Sequence, residues 1–113
     1  MFKKSRSGKH TELIKGVNLK AMVYGTQTLL TEVKMEKGAL IPLHKHPHEQ
    51  TGYLVSGQMD FLVDGAHILA NPGDSWNIAG NVEHGATAIE ASVVVEVFSP
   101  VREDYLPYYS ADE

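Results

Sequence analysis

Apolar and polar residues follow one another in short runs along this chain, and most runs close on a turn signal. "TLLTEVKM" is followed by "EKG", "TGYLV" by "SGQ", "MDFLV" by "DG", "AHILA" by "NPGD" and "SWNIA" by "GN". Met59, Phe61 and Val63 alternate with Gln58, Asp60 and Leu62, a period near two that suits a half-buried strand. Asp64-Gly65 between two such runs signals a hairpin, because glycine tolerates the positive φ these turns need. "SVVVEVF", from Ser92 to Phe98, is β-branched and continuous, as in a strand covered on both faces. Helical periodicity is missing before "REDYLPYY", which has room for one turn at most. The pattern predicts an all-β sandwich or barrel with almost no helix.

Length and composition narrow the function classes. A chain of 113 residues fits one domain with a single small core. No apolar run approaches the ~20 residues of a membrane-spanning helix, so no membrane partner is expected. "MFKKSRSGKHTE" is basic but lacks the apolar segment of an export signal, which predicts a cytoplasmic protein. The net charge of −4 argues against a nucleic-acid partner, which calls for a basic face. Lys3, Lys4, Arg6 and Lys9 crowd the first ten residues and read as a solvated flexible arm, with an anion-binding tail as the alternative. There is no cysteine, so any metal must be held by nitrogen and oxygen.

That condition gives "HKHPHEQTGYLVSG" its interest. In a strand, His44 and His46 point to the same face with Cβ atoms about 7 Å apart, and one ion can bridge them if the strand is curved. Gln50 has the same parity and offers an amide oxygen. His84, in "GNVEHGA", stands between turn residues at the mouth of another strand. His48 follows Pro47, which perturbs the strand and leaves its direction open, while His10 and His67 read as surface or strand-end residues. By itself the His44/His46 pair is compatible with a metal site or with chance. Glu96 is a lone charge inside "VVVEVF", either facing a cavity beside Phe98 or lying at a solvated edge. Arg102, past Pro100, either folds back over a barrel mouth or pairs at the surface with Glu103 or Asp104.

The spacing "GALIPLHKHPHEQTGYLVSG" resembles the first motif of the cupin family, with Gly38, His44, His46, Gln50 and Gly57 at its positions. "NPGDSWNIAGNVEHG" is similar to the second motif, with its turn at Pro72-Gly73 and its histidine at His84. The resemblance runs from about Val33 to Phe98. It implies a double-stranded β-helix, or jelly-roll barrel, commonly paired as a homodimer, with a metal inside held by His44, His46, Gln50 and His84. Residues 1–20 are then a basic arm and first strand, 21–100 the cupin barrel and 101–113 a C-terminal tail. Many cupins carry glutamate where this chain has Gln50; here Glu49 sits one residue early and should face away. Three imidazoles and an amide oxygen suit Zn, Ni, Fe or Mn without choosing among them, and the missing carboxylate counts against dioxygenase chemistry.

The tail "EVFSPVREDYLP", with "HPHEQTGYLVSG", is similar to the small cupins of pectin and alginate degradation, which convert unsaturated uronates to linear keto sugars. That resemblance implies catalytic roles for Glu96, Phe98 and Arg102, with glutamate standing where the group usually has aspartate. It further implies a non-redox enzyme opening or tautomerising a small anionic sugar. The alternatives are a module that binds a metal or small molecule without turnover, and an oxygen-dependent enzyme of quercetinase type.

Overall fold

The computed structural model describes residues 1–110, in which eight strands form one bent antiparallel sheet. In chain order they are β1 (Thr11–Ile14), β2 (Val17–Tyr24), β3 (Leu29–Met35), β4 (Leu40–His44), β5 (Glu49–Val63), β6 (Ala66–Ala70), β7 (Ser75–Ile78) and β8 (His84–Ser99). Strands β5 and β8, with 15 and 16 residues, run through both halves of the molecule and pair along their length. One half of β8 pairs with β3, on the side that continues to β2 and β1; its other end pairs with β4. The bend folds the sheet over its own apolar face. Val17, Leu19, Val33, Met35, Leu54, Met59, Phe61 and Val94 meet there as the buried core.

The alternation read at Met59–Val63 is observed, with Met59 and Phe61 buried. Asp64 and Gly65 take positive φ (48° and 81°) in the hairpin joining β5 to β6, as an Asp-Gly turn requires. "SGQ" is not a turn: β5 passes through Ser56–Gln58, where its register with β8 shifts as Gly57 adopts φ 95°. This bulge switches the inward parity, from Gln50, Gly52 and Leu54 before it to Met59 and Phe61 after it. A side chain at residue 57 would meet the Ser92 hydroxyl at 2.2 Å, so the strands close up here because glycine has none.

"SVVVEVF" is covered on one face rather than two. Ser92, Val94 and Phe98 are buried, whereas Val93, Val95 and Val97 on the opposite face are half-covered. The tail has more helix than expected, a six-residue 3₁₀ segment over Glu103–Tyr108, about two turns. Nor is the N-terminal segment simply solvated: Ser7 is buried, Lys3 bonds the Ser110 carbonyl, and Lys20 bonds the Ser5 carbonyl at 3.2 Å. The division after residue 20 falls inside β2, and residues 111–113 of the expected tail lie outside the described residues.

Candidate metal centre

His44 ends β4 and His84 opens β8, and the register places them directly opposite each other. His46 is not in the same strand as His44. The chain leaves β4 after His44 and bends through residues 45–48, with Pro47 inside the bend, before β5 begins. The bend is held by the Asn81 N–H, which donates to the His46 carbonyl at 2.7 Å. Gly80 packs against the Pro47 carbonyl there, where an added Cβ would stand 2.3 Å from the oxygen. The ring centroids of His44, His46 and His84 lie 4.4 to 5.5 Å apart, and their ligand nitrogens fall within 4.8 Å of one another.

The hydrogen bonds around these rings say which nitrogen is available. In each ring Nδ1 meets a backbone carbonyl: His44 with Pro42 at 2.9 Å, His46 with His48 at 3.0 Å, His84 with Val82 at 2.8 Å. A carbonyl oxygen accepts, so each Nδ1 carries the proton and each Nε2 keeps its lone pair. His84 Nε2 is buried with no partner. His46 Nε2 faces Gln50 Oε1 at 2.9 Å. That amide is oriented by its own N–H, which donates to Glu96 Oε2 at 2.6 Å. Two acceptors facing each other and an orphaned buried imidazole nitrogen are costly without a cation between them. The donor set, three neutral imidazoles and an amide oxygen, fits a divalent transition metal, and carbonyl-anchored imidazoles are the usual support of such ions. Burial holds the pKa of His44 below the ordinary imidazole value and takes His46 to about 4, so both rings are neutral at physiological pH. His48 is outside this group; its Nδ1 is buried without a partner. Lys45 and Glu49 are exposed, and Glu49 takes a hydrogen bond from Asn77 at 2.9 Å, so neither turns toward the histidines.

Of the two readings of Glu96, the cavity is the one observed. Glu96, Phe98, Arg102 and Tyr105 line the same cavity as His44, Gln50 and His84. Burial pushes the Glu96 pKa above the usual carboxylate range, against the opposing pull of N–H bonds from Trp76 and Gln50. For Arg102 both readings hold at once. Its Nε bonds both carboxylate oxygens of Asp104, at 3.1 and 3.2 Å, while the side chain lines the cavity. The guanidinium lies 3.9 Å from the Tyr105 ring centroid and 5.2 Å from that of Phe98. Stacking and the Asp104 pair fix the plane of the group, an arrangement suited to gripping a carboxylate with its remaining N–H donors.

The cupin-domain family model matches residues 31–99. The chain belongs to the cupin family. This cupin is 31% identical over 97 residues to the pectin degradation protein KdgF of Dickeya dadantii (strain 3937), covering 84% of this chain and 88% of that protein. Among solved structures it is similar to KdgF from a Halomonas species, with a TM-score of 0.89 and 30% identity over 94% of this chain and 98% of the other. An RmlC-like cupin from Shewanella frigidimarina superposes with a TM-score of 0.88 at 27% identity, covering 92% and 94% of the two chains.

Sequence reasoning missed three residues of this cupin's site. Tyr105 enters from the 3₁₀ segment, which carries no strand pattern, and stacks on Arg102. Trp76 donates its indole N–H to Glu96 at 3.2 Å. Gly52 lies under that indole. A glycine inside the apolar run "TGYLV" was the available signal, since glycine within a strand often marks a close approach of another group.

Proposed function

We propose that this cupin is a metal-dependent, non-redox enzyme that opens the ring of a small anionic sugar, a 4,5-unsaturated uronate. The observation that carries the reading is the double role of Gln50. Its carbonyl oxygen stands among the imidazoles while its N–H holds Glu96, which puts a carboxyl group of raised pKa beside a candidate metal site in one cavity. The relative from Dickeya dadantii is named a pectin degradation protein, which supports a sugar-derived substrate.

A divalent ion held by His44, His46, Gln50 and His84 would supply Lewis acidity toward a substrate oxygen. The remaining roles fall to the chain itself. Arg102 holds the uronate carboxylate, and Phe98 walls the cavity between Arg102 and the His46 ring. Glu96 takes the proton of the anomeric hydroxyl as the C1–O5 bond breaks, and returns it to C4 as the released enolate becomes a ketone. Reactant and product are isomers, so neither oxidant nor reductant is needed. A group shifted toward neutrality is suited to both transfers, typically worth ~10²–10⁴-fold. We also propose that the chain works as a homodimer.

Elemental analysis of protein purified without chelator tests the first requirement. Near-stoichiometric transition metal is expected, lost in a His46→Ala, His84→Ala double variant. Equal metal in the two proteins contradicts the assignment.

A further inference from the structure

We propose that Trp76 is a positioning residue for Glu96, acting across a lane left open by Gly52. The proposal rests on the uronate-opening reading for its kinetic consequences and on geometry alone for the contact. Strands β7, β5 and β8 lie side by side, and their register sets Trp76 opposite Gly52 and Gly52 opposite Glu96. Residues facing each other across an intervening strand are about 10 Å apart, and the side chain of the middle residue normally stands between them. Here the middle residue has none. A Cβ built on Gly52 would lie 2.2 Å from Trp76 Nε1 and 2.3 Å from Cε2, so the indole occupies that space. It crosses β5 and delivers its N–H to Glu96 Oε2 at 3.2 Å, with Phe61 packed 4.5 Å away, centroid to centroid.

The contact differs from the other hold on Glu96. Gln50 binds the same oxygen but is committed through its carbonyl to the imidazole cluster. Trp76 belongs to no such cluster and anchors the carboxyl group from the opposite strand. Both donors fall on Oε2; among the described residues none bonds Oε1. With Oε2 pinned twice, the carboxyl group cannot rotate, and Oε1 is the atom left to move the proton. An indole suits this task because it is a donor only, so it cannot compete for that proton.

The chain has a single tryptophan, so its indole N–H gives one isolated proton resonance. In metal-free wild-type protein this resonance should lie downfield and exchange slowly with water; Glu96→Ala should move it upfield and speed exchange. In the metal-loaded enzyme Trp76→Phe, which keeps an aromatic ring and removes the donor, should lower kcat by about 10- to 100-fold. KM should stay within about twofold and metal content unchanged. The same substitution in a Glu96→Gln background should cost nothing further, and Gly52→Ala, which displaces the indole, should reproduce the loss. A resonance insensitive to Glu96→Ala overturns the proposal, as does a Trp76→Phe penalty equally large in the Glu96→Gln background. Wild-type protein without turnover overturns instead the functional reading, and the resonance distinguishes the two failures.

Discussion

Gln50 donates a 2.6 Å hydrogen bond to Glu96 while presenting its carbonyl oxygen, 2.9 Å away, to His46 Nε2. A side-chain amide carries a donor group and an acceptor group at the same end, which is what this position demands. A glutamate here would set two carboxyl groups against each other, and one of them would have to take up a proton. The amide that departs from the common cupin pattern is thus matched to the acid on the neighbouring strand.

Gln50→Glu should therefore lower kcat at least about tenfold at neutral pH while metal is retained. Metal-free Gln50→Glu should lose about 1–3 kcal/mol in urea unfolding, because two buried carboxyl groups then share the site and one must bind a proton. The double variant Gln50→Glu, Glu96→Gln restores a donor between the two positions and should recover most of that stability, though not the turnover. A single variant as stable and as active as wild type would contradict the pairing.

The second expectation concerns Arg102. Its Nε is taken by Asp104, so the remaining guanidinium N–H groups are what the cavity offers an anion. Arg102→Ala should raise KM for an unsaturated uronate by about 10- to 100-fold, with a smaller effect on kcat, the cost of one charged hydrogen-bonded contact. Arg102→Lys keeps the charge but not the fork and should fall between. Initial-rate kinetics across substrate concentration check this; an unchanged KM in Arg102→Ala removes Arg102 from substrate binding.

How much of this was legible beforehand varies with how local each signal is. The Asp64-Gly65 hairpin and the alternation at Met59–Val63 are local, and they appear as read. That His44, His46, Gln50 and His84 come together was legible through motif spacing, although His46 does not share a strand with His44, since β4 ends at His44. Ser56-Gly57-Gln58 looked like a turn because a glycine bulge and a glycine turn have similar composition; cross-strand pairing decides between them. The directions of Glu96 and Arg102 depended on packing, and the Trp76–Gly52–Glu96 row on the register of three strands distant in sequence.

Tyr105 supplies a pH dependence of stability. Burial raises its phenol pKa to about 12, against ~10 for an unfolded chain. The folded state keeps a proton that the unfolded state loses, so the stabilisation is complete below pH ~10 and declines as pH rises toward 12, by up to about 2–3 kcal/mol. Urea unfolding of wild type and Tyr105→Phe across pH 8 to about 11 should show the difference between them shifting in favour of the phenylalanine variant as pH rises. A pH-independent difference would contradict the buried phenol.

Self-association has a candidate surface. On the outer face of β5 and β8, Tyr53 and Val55 are 48% and 47% exposed beside half-covered Val93, Val95 and Val97. An exposed apolar strip of this kind marks an interaction surface. Light scattering at micromolar concentration should report about twice 12.4 kDa. A clean monomer would show the pairing wrong.

The most direct test of the account follows the conjugated enol absorbance of a 4,5-unsaturated uronate as it disappears. Metal-loaded wild-type protein should exceed the spontaneous decay. Chelation should abolish the excess and added metal restore it. Glu96→Gln, which keeps shape and removes the proton acceptor, should lower kcat by ~10²–10⁴-fold with little change in KM. Decay no faster than the spontaneous rate, with metal bound, would contradict the uronate assignment, and turnover unaffected by Glu96→Gln would remove the acid from the reaction.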